Sequence, residues 1–336
     1  AQAFKNSQTK RSRAMMDLQG DYRMILTGTP IENHLGELWN LFRFINPGLL
    51  GSLENFNKQF ASPIENNADK DAARRLKNLI KPFILRRLKT EVLTELPSRT
   101  EITVQVDMSD EEIALYEALR RKAVEKLAAA DDEPGHKQIK ILAEIMRLRR
   151  ACCHPKLVMP EVSITSSKLQ AFAEIISELK ENRHKALVFS QFVGHLEIIR
   201  EFLDTQKIEY QYLDGSTPQK KRKTAIDAFQ AGQGDVFLIS LKAGGSGLNL
   251  TAADYVIHMD PWWNPAVEDQ ASDRAHRMGQ TRPVTIYRLV TRNTIESKIV
   301  QLHQKKRELA DNLLEGSEMS GKMSVDDMYN LIKDAY

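Results

Sequence analysis

Nowhere in the 336 residues is there a G-x-x-x-x-G-K-[ST] run, so this chain has no P-loop to cradle the phosphates of a nucleotide. No acidic pair closes an apolar strand-like run to hold Mg2+, and hydrolysis of a nucleoside triphosphate needs both devices. Cysteine is nearly missing. Cys152 and Cys153 are the only two and they are adjacent, which excludes a disulfide framework, fits a reducing compartment and leaves no second pair to complete a tetrahedral metal site. No apolar run approaches the roughly 20 residues of a membrane-spanning helix, and no signal peptide is present. The formal charge of +3 does not identify a nucleic-acid binder, although a basic groove can hide in a balanced total. What remains is a soluble, globular composition, with 42% hydrophobic and 28% charged residues, long enough for about two domains.

The pattern of those residues changes along the chain. "YRMILTGTP" (22–30) is an apolar run stopped by Gly and Pro and predicts a buried strand feeding a loop. In "NHLGELWNLFRFI", Leu35, Leu38, Phe42 and Ile45 fall on one helical face, and Asn46-Pro47-Gly48 ends the helix. Residues 49–90 read as mostly helical and basic, with Pro82 breaking a helix at Lys81. "TEITVQVDM" alternates, with Ile102, Val104, Val106 and Met108 on one face, and predicts a half-buried strand. Ser109 with Glu112 forms a capping box for a helix reaching 128–130. "DDEPGH" is the loop before a second helix over roughly 137–151, and residues 156–166 read as a linker.

From Ser167 onward, apolar strands ("ALVFS", "YQYL", "DVFLIS", "YVIHMD", "VTIYRLV") alternate with amphipathic helices. That order predicts an α/β domain with a parallel sheet covered on both faces. Ligands of such sheets bind at loops beyond the carboxyl ends of the strands. Here those loops begin "SQF", "DGST", "SLKAGGSGLNL" and "DPWWNP".

Several local patterns carry chemistry, and each also has a plainer explanation. Gly244, Gly245 and Gly247 follow a buried strand and can form an anion nest; a flexible turn explains them as well. "QASDRAHRMGQ" sets Arg274 and Arg277 on one face of an expected helix (265–278), four and seven residues after Gln270. Arginine clamps phosphate in a fork and keeps its charge, yet pairing with Glu268, Asp269 and Asp273 on a solvated face is the common fate of such a group. Trp262-Trp263 can stack on a base or sugar, or simply pack. "RLRRACCHP" reads as a helix end at His154-Pro155. "QKKRK" (219–223) reads as a solvated first helical turn.

Taken in order, these blocks resemble the carboxyl-terminal half of the Swi/Snf-type family of ATP-driven DNA translocases, in helicase superfamily two. The resemblance runs through "ILTGTPIENHLGELWNLFRFINPGLLG", "IKPFILRRLKTEV", "LVFSQFVGHLEIIREFL", "YLDGSTPQKKRKTAIDAF", "LISLKAGGSGLNLTAADYVIHMDPWWNP" and "EDQASDRAHRMGQTRPVTIYRLV", the last with its Q-x-x-D-R-x-x-R core intact. The opening "AQAFKN" is similar to the family sequence just after its D-E-A-Q motif, which implies a fragment beginning beyond the Mg2+-holding acids.

The resemblance implies a RecA-like parallel-sheet lobe with helical insertions, preceded by an incomplete remnant of a first RecA-like lobe. The implied boundaries are 1–48 for the remnant, 49–98 for a helical protrusion, 99–160 for a linking strand and hairpin, 161–313 for the second lobe and 314–336 for a tail. Arg274 and Arg277 become arginine fingers reaching ATP across a cleft, with Gln270 orienting them and Gly245 and Gly247 lining it. Ser190, Gln191, Lys242, Ala243, Gly244 and Trp263 become contacts to duplex DNA. Thr27 and Thr29 become the coupling between nucleotide and DNA. ATP with Mg2+ is held mainly by the missing N-terminal lobe. Expected partners are double-stranded DNA, that lobe, and DNA-bound proteins such as RNA polymerase or nucleosomes; no membrane is expected. The expected location is the bacterial cytoplasm, or the nucleus in a eukaryote. Met278 replaces a usual Ile, and Lys242 a frequent Arg. Alternatives are a DNA-binding module without activity and an RNA-directed helicase of the same superfamily.

Overall fold

The computed structural model describes residues 4–27, 34–67, 69–85, 92–93, 95–129, 134–243, 248–302 and 325–333. It divides into two compact units, Ala1–Leu88 with Leu302–Met323, and Lys89–Gln301 with Ser324–Tyr336.

The first unit is helical where it is described. Helix α1 (Lys10–Met16) starts at Thr9, whose side chain accepts from the Ser12 amide. Helix α2 (Leu35–Ile45) buries Leu35, Leu38, Trp39 and Phe42. They pack on α3 (Leu53–Phe56), a π-helical turn (Asn57–Ala61), α4 (Ser62–Asn67) and α5 (Lys70–Ile80) through Phe56, Ile64, Leu76 and Ile80. The buried carboxamide of Asn40 donates to the Phe4 carbonyl and to Ser12 Oγ, both at 2.7 Å, and so ties α1 to α2.

Residues 22–26 form no strand, contrary to the expectation from their composition. Tyr22 is 96% and Leu26 78% exposed. A buried strand needs neighbours that take its amides and carbonyls, and no described segment pairs with this one. Arg23 fixes it instead, donating to the Phe44 and Leu18 carbonyls.

The second unit contains a six-stranded sheet in the order β1-β6-β5-β2-β4-β3. The strands are β1 (Arg99–Val106), β2 (Ala186–Ser190), β3 (Tyr210–Leu213), β4 (Val236–Ser240), β5 (Tyr255–His258) and β6 (Val284–Thr291). Every pairing is parallel. Strand alternation sends Ala186, Val188, Val236, Leu238 and Ile257 to one apolar layer, and Leu187, Phe189, Phe237, Ile239 and Val256 to the other. Helices α8 (Ser167–Glu181) and α9 (Val193–Thr205) cover the first layer with Phe172, Ile176, Leu196 and Ile199. Helices α10 (Gln219–Gln230) and α11 (Pro265–Ser272), with the segment crossing from β4 to β5, cover the second through Phe229, Leu250 and Ala271. Burying one such Phe or Leu contributes about 1.5–3 kcal/mol. The predicted α/β parallel-sheet fold is therefore correct. Edge strand β1 is less buried than its alternation suggests, with Ile102 exposed.

A hairpin of α6 (Asp110–Ala128) and α7 (Pro134–Cys153) precedes the sheet strands β2–β6. The capping box at Ser109 and Glu112 is formed. Helix α7 begins at Pro134, earlier than expected, because proline suits a first helical turn whose amides have no intrahelical partner. A last helix, α12 (Val325–Lys333), packs on α6 and α7. No described helix is long and apolar enough to cross a membrane.

Candidate functional site

The loops after β2, β4 and β5 lie at the carboxyl ends of neighbouring strands and form one rim. Its centre is Asp260, just past β5. Asp260 accepts from Ser190 Oγ at 2.5 Å and from the Gln191 amide at 3.2 Å. The Phe192 amide donates back to Ser190 Oγ at 3.1 Å. Burial raises the Asp260 carboxyl above its usual range, against the pull of Arg149 and the Ser190 hydrogen bond.

Beside it lies Arg149 of α7, fully buried. Its Nη1 donates to Gln191 Oε1 at 3.0 Å and its Nη2 to the Pro261 carbonyl at 2.6 Å. Its guanidinium carbon lies 5.4, 5.6 and 5.7 Å from the ring centres of Phe192, Trp262 and Trp263. Sequence reasoning passed over Arg149 as part of a helix end. The available signal was spacing: it follows Ile145 by four residues on the face that buries Ile141, Ile145 and Leu148.

The "DGST" loop after β3 is an Asx turn. Asp214 Oδ1 accepts from the Ser216 and Thr217 amides and hydroxyls, and Oδ2 from the Tyr212 hydroxyl. Burial alone would raise Asp214; the Ser216, Thr217 and Tyr212 hydrogen bonds hold it below the usual carboxylate range. Arg222 corrects the expectation of a solvated helical turn. Its guanidinium donates to the Asp214 carbonyl and the Ala243 carbonyl, fastening the β3 and β4 loops together.

The rim brings together Gln191, Lys242 and Trp263 as partly or fully exposed side chains. Two expected contact residues face inward. The Ser190 hydroxyl is spent on Asp260, and the Ala243 amide donates to the Ser240 carbonyl at 3.0 Å. Gly244, Gly245, Gly247 and Thr29 lie outside the described residues. Thr27 is exposed in the first unit.

The two motif arginines occupy a different place. Helix α11 stops at Ser272, six residues before the end predicted for it, so Arg274 and Arg277 lie in a turn and not on one helical face; Gln270 alone is helical. Past Ser272 the Arg274 and Ala275 amides bond three residues back, to Ala271 and Ser272, and the helix tightens into a turn that other segments brace. The Leu250 amide donates to the Arg274 carbonyl at 3.0 Å, and Gln280 Nε2 donates to the Ala275, Thr251 and Ala253 carbonyls. Gly279, at φ +97, then turns the chain toward β6. Arg277 is half-buried and donates to the Leu248 carbonyl at 3.0 Å. Arg274 is buried, 6% exposed, where an outward-pointing group was expected. Burial and the neighbouring Arg277 charge push it down to about 10, with Asp273 opposing. The acids beside these arginines also serve other cations. Glu268 pairs with Arg288 at 2.7 Å, and Arg99 reaches Asp269 at 2.8 Å and Asp273 at 3.4 Å.

One candidate metal cluster exists among the described residues. Cys153, His195 and Asp260 bring ligand atoms within 4.8 Å of one another. The donors do not suit a cation. Both Asp260 oxygens already accept hydrogen bonds and Arg149 Nη2 lies 3.6 Å away. Burial raises the Cys153 thiol well above its usual value, and only a thiolate ligates.

Comparison with known proteins places this geometry. Residues 1–157 match the SNF2-related domain, and residues 167–279 the helicase conserved C-terminal domain. A Sulfolobus solfataricus SWI2/SNF2 ATPase core, solved in complex with dsDNA, is 35% identical over 99% of this chain and 69% of that one, with a TM-score of 0.58. The chain belongs to the Swi/Snf family of helicase superfamily two. Its sheet is the RecA-like lobe of that family. A Bacillus subtilis protein named for an ATP-dependent helicase/translocase, YwqA, is 37% identical over 98% of this chain and 37% of its own length. The SWI/SNF-related matrix-associated actin-dependent regulator of chromatin subfamily A member 1 of Mus musculus is 34% identical over 99% of this chain and 33% of its own. The chain thus spans about a third of the curated relatives it matches.

Proposed function

We propose that this chain is the C-terminal motor half of an ATP-dependent translocase on double-stranded DNA. The observation that carries this reading is a division of labour within one sheet. Gln191, Lys242 and Trp263 share the strand-end rim, while Arg274 and Arg277 sit side by side in the turn after α11. The rim suits a sugar-phosphate strand: one cation, one carboxamide and one indole face make contacts that do not read base sequence. The arginine pair suits phosphate charge that grows in a transition state. Two cations held together against their own repulsion gain most when such charge arrives.

In this reading ATP and Mg2+ are held by a separate P-loop lobe, and Arg277, the more exposed of the pair, reaches its phosphates directly. Arg274 lies behind it and reinforces its field. An arginine finger contributes about 10^3 to 10^5 in rate, roughly 4–7 kcal/mol. Gln270 orients the approach from the end of α11. Thr27 and Thr29 link nucleotide state to the DNA grip, and opening and closing of the cleft advance the rim along one strand.

The test is hydrolysis with and without the other lobe. This chain alone should turn over no ATP above background. Joined to a P-loop lobe, it should hydrolyse ATP in response to duplex DNA more than to single-stranded RNA. Stimulation by RNA alone would replace the reading with an RNA-directed helicase. Robust hydrolysis by the isolated chain would remove it.

A further inference from the structure

We infer that Arg149 is a positioning residue for the DNA-contacting rim, holding the Gln191 carboxamide in the orientation that presents its NH2 group to a phosphodiester oxygen. The inference rests on the rim being the DNA side, as proposed above.

Arg149 is the point at which three separate stretches of chain meet. It rises from α7 and touches the loop after β2 through Gln191 and Phe192, and the loop after β5 through Asp260, Pro261, Trp262 and Trp263. The SNF2-related domain match ends at residue 157 and the helicase C-terminal match begins at 167. Arg149 therefore belongs to one matched module, and its rim partners to the other.

A guanidinium can only donate. Placed 3.0 Å from Gln191, it must face the carboxamide oxygen, which leaves the NH2 group as the part of the carboxamide not bound to the guanidinium. The only partner Nε2 finds among the described residues is Met146 Sδ at 3.6 Å, a sulfur that Arg149 Nη1 also reaches at 3.7 Å. A thioether is a weak acceptor, so an anionic oxygen reaching the rim displaces it at little cost. The same guanidinium also lies 5.6 and 5.7 Å from the ring centres of Trp262 and Trp263, and so helps fix where both indoles stand. Lysine cannot reproduce this. It carries the charge but lacks the planar fork that spans Gln191 and Pro261 together.

The experiment uses the chain joined to a P-loop lobe, with ATP hydrolysis titrated by duplex DNA. In Arg149→Lys, the DNA concentration giving half-maximal stimulation should rise about tenfold, the size of one lost charge-assisted hydrogen bond. The maximal rate at saturating DNA should change less than twofold. Because Arg149 acts through Gln191, adding Gln191→Met to Arg149→Lys should cost far less than Gln191→Met costs alone. A half-maximal DNA concentration equal to that of the parent, or fully additive effects of the two substitutions, overturns the inference even if the melting temperature falls. If the parent itself shows no dependence on duplex DNA, the functional reading fails first, and that failure is separately visible.

Discussion

At the strand-end rim, side chains do the gathering. Asp260 and Arg149 draw in two loops and a helix through carboxylate and guanidinium contacts. In the turn after α11 the gathering is done on the main chain: carbonyls of 248, 251, 253, 274 and 275 accept from Arg277, Gln280 and the Leu250 amide. The difference bears on what each region can do. A rim braced by buried charged side chains holds its surface groups still, as contacts to a regular polymer require. A turn braced through its backbone sets two guanidinium groups near enough for each to feel the other's charge. Burial first, and the Arg277 charge second, push Arg274 down to about 10 there.

The largest expected effect separates the two regions by substitution. In a polypeptide carrying both lobes, Arg277→Ala should lower kcat by about 10^3 or more while duplex DNA binding, measured by titration at fixed salt, stays near the parent value. Trp263→Ala should do the reverse. Affinity for DNA should fall by about 1–3 kcal/mol, the range for a lost base-stacking indole, with ATP turnover at saturating DNA largely kept and movement along DNA slowed. Should both substitutions damage the same quantity, the two regions are one site and the proposed division is wrong.

The sequence carried the sheet and not its fastenings. "ALVFS" and "YRMIL" look alike as strings, yet the first is a strand buried on both faces and the second an exposed loop. Apolar residues state a preference for burial; neighbouring strands decide whether it is met. The blocks that make the rim were readable because each follows an apolar strand. The end of α11 was not, because the turn that follows it is braced by Leu250, a partner that only folding brings near. Arg149 escaped for a related reason: its six contacts beyond α7 all lie more than 40 residues along the chain.

His258 joins the two regions and gives the next test. It closes β5 beside the rim, and its Nε2 meets Ser272 Oγ, the last residue of α11 before the turn, at 2.9 Å. Burial lowers it to about 4, with Arg288 and Arg99 adding to the effect against Glu268. The unfolded chain binds this proton from pH 6.5 downward and the folded chain only near 4. Stability from His258 is therefore complete above pH 6.5 and lost as pH falls toward 4, about 3 kcal/mol in all. Urea unfolding across that window should show a shallower loss for His258→Gln than for the parent. Parallel curves would mean that the junction between rim and turn is not proton-sensitive.

The last contrast runs within the rim itself, between two buried nitrogen-bearing side chains. Arg149 is held by Gln191, Pro261 and Asp260 through its terminal nitrogens, with only Nε unpartnered among the described residues, whereas both ring nitrogens of His195 lack a partner there. Burial lowers the His195 pKa well below its usual value, so the ring stays neutral. A buried polar group left unsatisfied costs about 1–3 kcal/mol. His195→Leu removes that cost and should raise unfolding stability by about 1–2 kcal/mol. Arg149→Leu leaves Asp260 without its cation and should lose about 3–5 kcal/mol. Opposite signs from two substitutions that remove buried nitrogen atoms would show that the rim is specific about which polar group it needs. A loss of stability in His195→Leu would instead mean that the imidazole has a polar partner, and the Cys153, His195 and Asp260 cluster would have to be reconsidered as a site.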